Sequence, residues 1–263
     1  MELGFITNKT AADLELAEEI GYTTVEVFFS AKGEDAVQFP ERAEFLRALR
    51  DSPIRVSAMA LYGDAHALSD DPALRRLSED RFKAALEIAC EVDAPVLYCG
   101  SSTYPTRDAD ELADRVVAAF SGRLEQVSEV GRRLAFMACH TENAVWSPAM
   151  WGRVLPRLKG AGIKYDPSHP AYDGRDYLAE LEEWGRWVVH FHAKDVLKIG
   201  NRMHSDPNPG FGQIEWGPIF ALLYEAEYEG AVVVEPHSEF WTRRKREAGL
   251  KASFRFLSQF LLD

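Results

Sequence analysis

A chain of 263 residues suits one large α/β barrel or two ordinary domains, and 46% hydrophobic with 27% charged residues is a globular balance. The net charge of −12 opposes a nucleic-acid partner, and no apolar run approaches the ~20 residues that cross a membrane as a helix. Three cysteines with no CxxC pair provide neither a disulfide framework nor a zinc knuckle, which leaves small molecules and metal cations as the expected partners.

The opening stretch, MELGFITNKTAADLELAEEIG, is acidic and lacks the basic start and apolar middle of a signal peptide, so a cytoplasmic protein with reduced thiols is expected. Within it LGFIT (3–7) reads as a strand and AADLELAEEIG as an amphipathic helix ending on Gly. The same alternation continues along the chain. Strands are expected at TTVEVFF (23–29), IRVSAMAL (54–61), PVLYCGS (95–101), LAFMACHTE (134–142), GIKYDPS (162–168), WVVHFHAKD (187–195) and AVVVEPH (231–237). Between them ERAEFLRALRD, DPALRRLSEDRFKAALEIACEV and ADELADRVVAAFSGRLEQVSEVG carry helical periodicity. Crossover helices require parallel strands, and eight such units without a linker predict an α/β fold, a single-domain (β/α)8 TIM barrel over residues 1–263. GxGxxG and GxxxxGK[ST] are both absent, which removes the usual signatures of nucleotide-binding open sheets. The basic run TRRKREAGLK (242–251) reads as the wet face of a terminal helix.

In such a barrel the C-terminal strand ends form the active face. On the fifth strand the period of two puts Ala138, His140 and Glu142 on one face, with Glu142 highest. The sixth ends on Asp166, with His169 three residues on. The seventh aligns His190, His192 and Lys194, and the eighth brings Glu235 to the rim. Glu142, Asp166, His192 and Glu235 offer three oxygens and one imidazole nitrogen, a set that suits Mn²⁺, Mg²⁺ or Co²⁺ better than structural zinc. A bound divalent ion would stabilise charges that otherwise repel. His190 and His140 lie one layer deeper, as hydrogen-bonded core histidines or as groups that orient the ligands. Glu26 on the second strand faces the mouth or forms a buried ion pair. The loop KIGNRMHSDPNPGFGQIEWG after the seventh strand is long enough to cover a substrate, and its GFGQIEW segment reads as turn chemistry in preference to a phosphate cradle. Arg202 and His204 in that loop, His66 after the third strand, Lys194 and Trp146 are candidate contacts for a polyol, although Trp146 also has a packing reading. Exposed aromatics in SEFWTRR and AYDGRDY would suit a homo-oligomer interface.

With HTEN, YDPSH, HFHAKD and VVVEP in this order, the sequence resembles the xylose isomerase-like barrel superfamily. Within it the likeness is to the sugar phosphate isomerase/epimerase group, which also includes inosose dehydratases, ketose 3-epimerases and hydroxypyruvate isomerases. The resemblance spans essentially the whole chain. It implies one divalent cation, Mn²⁺ foremost, held by Glu142, Asp166, His192 and Glu235, with His169 on a substrate oxygen and Glu142 and Glu235 exchanging the proton on carbon. Ketose epimerases place an Arg shortly after the seventh-strand His, whereas KDVLK follows here and the first Arg is Arg202. Endonuclease IV, a DNA-repair relative, needs histidines after the fourth strand, where this chain has YCGSS. The expected activity is isomerisation or epimerisation of a sugar, sugar phosphate or keto-polyol through an enediolate. A lyase of the inosose or keto-sugar dehydratase type and a non-catalytic sugar-binding barrel are the alternatives.

Overall fold

All eight expected runs become strands. The computed structural model describes residues 1–30, 39, 41–139, 142–200 and 202–262. In chain order the elements are β1 (Glu2–Ile6), α1 (Ala11–Ile20), β2 (Thr24–Ser30), α2 (Arg42–Asp51), β3 (Arg55–Tyr62), α3 (Pro72–Glu91), β4 (Val96–Cys99) and α4 (Ala109–Glu129). Then follow β5 (Arg133–Met137), α5 (Pro148–Val154), β6 (Gly162–Tyr165), α6 (Ser168–Asp173), α7 (Tyr177–Trp184), β7 (Val188–Ala193), β8 (Leu197–Ile199), β9 (Arg202–Ser205), α8 (Trp216–Glu225), β10 (Ala231–Val234) and α9 (Arg246–Ser258). Eight parallel strands close in the order β1-β10-β7-β6-β5-β4-β3-β2. β8 and β9 form a separate antiparallel hairpin inside the segment that the sequence presents as a loop.

Local chemistry sets the element boundaries. Asp71 caps α3 by accepting from the Ala73 N–H, with Pro72 in the first turn, and Asp108 caps α4 by accepting from Asp110 and Glu111. α1 ends on Gly21 at φ 105°, a left-handed position that a side chain resists. The strands are buried on both faces, which is why they read as apolar runs. Their outward side chains, such as Val25, Leu97, Phe136, Ile163 and Phe191, pack under the helices in one continuous core. Their inward side chains make a second, smaller cluster in the lumen, with Ala58, Ala60, Tyr98, Ala135 and Met137 among its members. Small residues on β3 and β5 leave room for larger polar groups from β2, β6 and β7.

One boundary differs from expectation. β5 ends at Met137, not at 142. The Ala138 N–H still donates to the Lys164 carbonyl at 3.2 Å, and residues 142–145 lie in a turn. Asn143 holds that turn: its Nδ2 donates to the Cys139 carbonyl at 2.8 Å and its Oδ1 accepts from the Ser101 N–H at 3.0 Å. Gly100 permits the approach, because a Cβ there would stand 2.8 Å from Asn143 Oδ1. His140 lies outside the described residues.

Candidate active site at the barrel mouth

Asp166 follows β6 directly, His192 is the penultimate residue of β7, Lys194 follows that strand, and Glu235 follows β10. The register β10 to β7 pairs Val233 with His192, and the Glu235 N–H donates to the Ala193 carbonyl at 3.1 Å. This register carries Glu235 alongside Lys194, and the β6–β7 register, with Tyr165 opposite Phe191, carries Asp166 alongside His192. One ligand atom each from Asp166, His192 and Glu235 lies within 4.8 Å of the others. Glu142 is not brought to them. It sits exposed in the turn beyond β5, where it lines the same cavity of about 610 Å³ as Lys164, His169, Glu235 and His237.

Below this level is a hydrogen-bonded ring. His192 Nδ1 lies 2.6 Å from Glu235 Oε2 and its Nε2 lies 2.6 Å from Glu26 Oε2. Tyr98 donates to Glu26 Oε1 at 2.5 Å, and the single O–H of Tyr62 faces two acceptors, the Tyr98 hydroxyl at 2.7 Å and Glu235 Oε1 at 3.2 Å. His190 Nε2 joins Glu26 Oε2 at 2.6 Å. Glu26 is therefore a buried partner of both histidines, resolving its two readings in favour of the ion pair. Burial alone would raise its pKa, but the charge on His192 and hydrogen bonds from His190 and His192 bring it down to about 2. Burial would likewise lower the pKa of His192, yet the adjacent Glu26 carboxylate, joined by Glu235, raises it. Each ring nitrogen of His192 thus faces a carboxylate. Glu26 thereby fixes the ring's orientation, the part a carboxylate plays behind a ligating histidine.

Lysines complete the charge pattern. Lys194, fully buried, lies 3.1 Å from Asp166 Oδ2 and 3.4 Å from both His169 Nε2 and His237 Nδ1. Lys164, also buried, stands 3.8 Å from Asp166 Oδ2 and 3.8 Å from Glu235 Oε2. Burial opposes the charge on Asp166, but Lys194 and then His169 and Lys164 hold its carboxyl well below the usual range. Glu235 is held well below its usual range in the same way, its burial cost outweighed by His192 and Lys164. His169 is the reverse case, since burial pushes its pKa down to about 3 and leaves it neutral. Lys164 was not singled out from the sequence, although the period of two in IKYD puts it on the face of Asp166.

The other candidates disperse. His66 is half-buried, with its backbone N–H donating to Asp64, and Trp146 packs under Arg175, whose guanidinium lies 5.1 Å from its ring centroid. Arg202 and His204 are exposed on the β8–β9 hairpin. A second cavity of about 650 Å³ opens at the opposite end, lined by Arg55, Arg132 and Glu229 among others. It reaches His190 but holds none of the strand-end groups Asp166, His192, Lys194 and Glu235.

The donors of Asp166, His192 and Glu235 fit a divalent ion: two carboxylate oxygens and an imidazole, all within 4.8 Å of one another. Asp166 Oδ2 is fully buried and accepts no well-aligned hydrogen bond, which leaves a lone pair for such an ion.

The family model described as xylose isomerase-like TIM barrel matches residues 14–260. Among curated proteins, inosose dehydratase of Clostridium perfringens is 30% identical over 104 residues, covering 34% of this chain and 35% of the relative. Inosose dehydratase of Geobacillus thermodenitrificans is 30% identical over 108 residues, covering 36% of each. The chain thus matches about a third of the length of these relatives. Among solved structures, the IOLI protein with a zinc atom superposes with a TM-score of 0.80 at 17% identity over 100% of both chains. D-psicose 3-epimerase in the presence of D-fructose gives 0.78 at 17% identity over 99% of both.

Proposed function

Because the chain belongs to the xylose isomerase-like TIM barrel family, we propose that it is a metal-assisted enzyme that removes the proton next to the carbonyl of a sugar, sugar phosphate or keto-polyol. The observation that carries this reading is the meeting of Asp166, His192 and Glu235 at the strand ends, their ligand atoms within 4.8 Å of one another, with Glu235 on the cavity wall 3.8 Å from the buried Lys164 ammonium. Asp166, His192 and Glu235 would hold the cation, with Mn²⁺ the first candidate and Mg²⁺ or Co²⁺ next. When bound, such an ion supplies Lewis acidity to a carbonyl and its neighbouring hydroxyl.

The chain's own residues account for the rest. Glu235 is kept ionised by His192 and Lys164, so it is available to take a proton from carbon. Lys194 and Lys164 lie where negative charge would develop on the substrate oxygens, a preorganised electrostatic contribution. His169, neutral and beside Lys194, is placed to hold a substrate hydroxyl.

Isomerisation or epimerisation needs the proton returned to carbon, and Glu142 on the cavity wall is the second carboxylate for that role. A dehydratase needs one carbon base and an acid for the departing hydroxyl. Glu142 stands exposed and apart from the three grouped ligands, and the curated relatives are inosose dehydratases; both observations favour the lyase as the second reading.

The test is incubation with ketoses and keto-polyols in deuterated buffer with Mn²⁺. Deuterium should enter the carbon next to the carbonyl, and Glu235→Gln should slow its entry by about 10²-fold or more. An unsaturated carbonyl product absorbing in the ultraviolet would select the lyase, and a rearranged sugar the isomerase or epimerase. Ligand binding with no exchange in the parent would leave a sugar-binding barrel.

A further inference from the structure

β6 carries two inward groups, and the unexpected one is Lys164. Its side chain is 1% exposed, and lysine is almost never this buried unless paired. Its partners are the two carboxylates already assigned to the cation, Asp166 and Glu235, each 3.8 Å from Nζ. Lys194 serves Asp166 more closely, at 3.1 Å. Among the ion pairs of the described residues, Lys164 is the lysine that reaches Glu235.

The neighbouring strand supplies the second half of the argument. In the β5–β6 register Met137 stands opposite Lys164 and lines the same cavity. The inward position at the end of β5 therefore holds a thioether, and Glu142, the acid that the sequence offers as a fourth ligand, is exposed beyond it. A ligand set short of one carboxylate and a permanently attached cation beside the remaining two are complementary features. Two positive charges cannot approach the same pair of carboxylates without mutual repulsion, which in a buried site is strong.

We propose that Lys164 is a tethered cation that competes with a divalent metal for Asp166 and Glu235. The ammonium is a counter-ion shared by both carboxylates in the metal-free protein. Metal enters at the expense of those contacts, so the site is one of low affinity whose metal exchanges readily. This rests on the assignment of Asp166, His192 and Glu235 as the ligands, but not on any turnover.

The experiment is calorimetric titration of Mn²⁺ into chelator-stripped protein, comparing the parent with Lys164→Met and Lys164→Gln, alongside thermal melts of each with and without Mn²⁺. Both variants should bind one Mn²⁺ at least about tenfold more tightly than the parent. Without metal they should melt below the parent, because the buried Asp166 and the half-buried Glu235 have lost a counter-ion, and saturating Mn²⁺ should raise their melting temperatures by more than it raises the parent's. Binding by the variants with no parental binding is the extreme form of the expected result. Affinity equal to or weaker than the parent's, or variants that stay unfolded at saturating Mn²⁺, would overturn the proposal. Neither readout needs a substrate. A failed deuterium screen thus leaves this inference standing, and a failed titration leaves the proton-transfer reading to its own test.

Discussion

Asp195 shows what one carboxylate can organise. It is 1% exposed and follows the cavity lysine Lys194. Its Oδ1 accepts from the backbone N–H groups of Val196 and Ile214, each at 2.9 Å, and its Oδ2 accepts from the Gly210 N–H at 2.9 Å and the Trp216 indole at 3.2 Å. Four donors converge on it from both ends of the segment that carries β8 and β9. Gly212 closes over the same carboxylate, where any Cβ would collide with Asp195 Oδ1. The Asp of HAKD thus ties the long loop to the barrel mouth. Hydrogen bonds to a charged acceptor are worth about 1.5–3 kcal/mol each, and orphaned buried donors cost more than lost bonds. Asp195→Ala should therefore lower unfolding free energy by ~3 kcal/mol or more in urea titrations, whereas a parental midpoint would mean that the loop holds itself.

At the scale of elements, α4 does for the loop after β3 what Asp195 does for the loop after β7. Arg123 on α4 is 3% exposed. Its Nη2 donates to Ser78 Oγ at 2.6 Å and its Nε to Glu79 Oε2 at 3.1 Å, both on α3, and its Nη1 reaches Asp64 Oδ2 at 3.4 Å. Ser78 donates to the same Asp64 oxygen. Two helices are thereby joined to the loop that contributes Gly63, Asp64 and Ala65 to the cavity at the barrel mouth. The guanidinium also lies 4.8 Å and 5.0 Å from the ring centroids of Phe82 and Phe120, so its burial is shared between charge and aromatic faces. Removing one member leaves Asp64 buried without its counter-ion. Arg123→Met should cost ~3–5 kcal/mol by chemical denaturation, and a loss under ~1 kcal/mol would show that the loop does not depend on this network.

At the scale of the molecule, the barrel is held shut by its ends. β1 pairs with β2 on one side and with β10 on the other, in the register Glu2 to Ala231 through Phe5 to Val234. α9 returns to the same seam, where Tyr22 donates to the Leu250 carbonyl at 2.9 Å and Arg246 binds both oxygens of Asp13 at 2.7 and 2.9 Å. Deleting residues 1–9 would leave the apolar edges of β2 and β10 unpaired beside the cavity. The truncated chain should lose the single cooperative transition of the parent in scanning calorimetry. A sharp transition at the parent's temperature would show instead that the remaining seven strands close by themselves.

The sequence by itself determined the eight strands and their parallel order, because strands buried on both faces must be apolar throughout and crossover helices leave a 3.6-residue period between them. It also determined that Asp166, His192 and Glu235 meet, since each is an inward residue at the end of its own strand and a closed barrel puts those ends in one ring. Tertiary structure alone decided the rest. Whether β5 continues to Glu142 depends on Asn143 bonding Ser101, 42 residues away, and no local alternation records that contact. Whether Lys164 is a surface charge or a buried counter-ion depends on Asp166 and Glu235, one from its own strand and one from β10, reaching it together. Period and composition encode which face a residue takes; the cost of burying a charge is settled only by the partners that other strands bring to it.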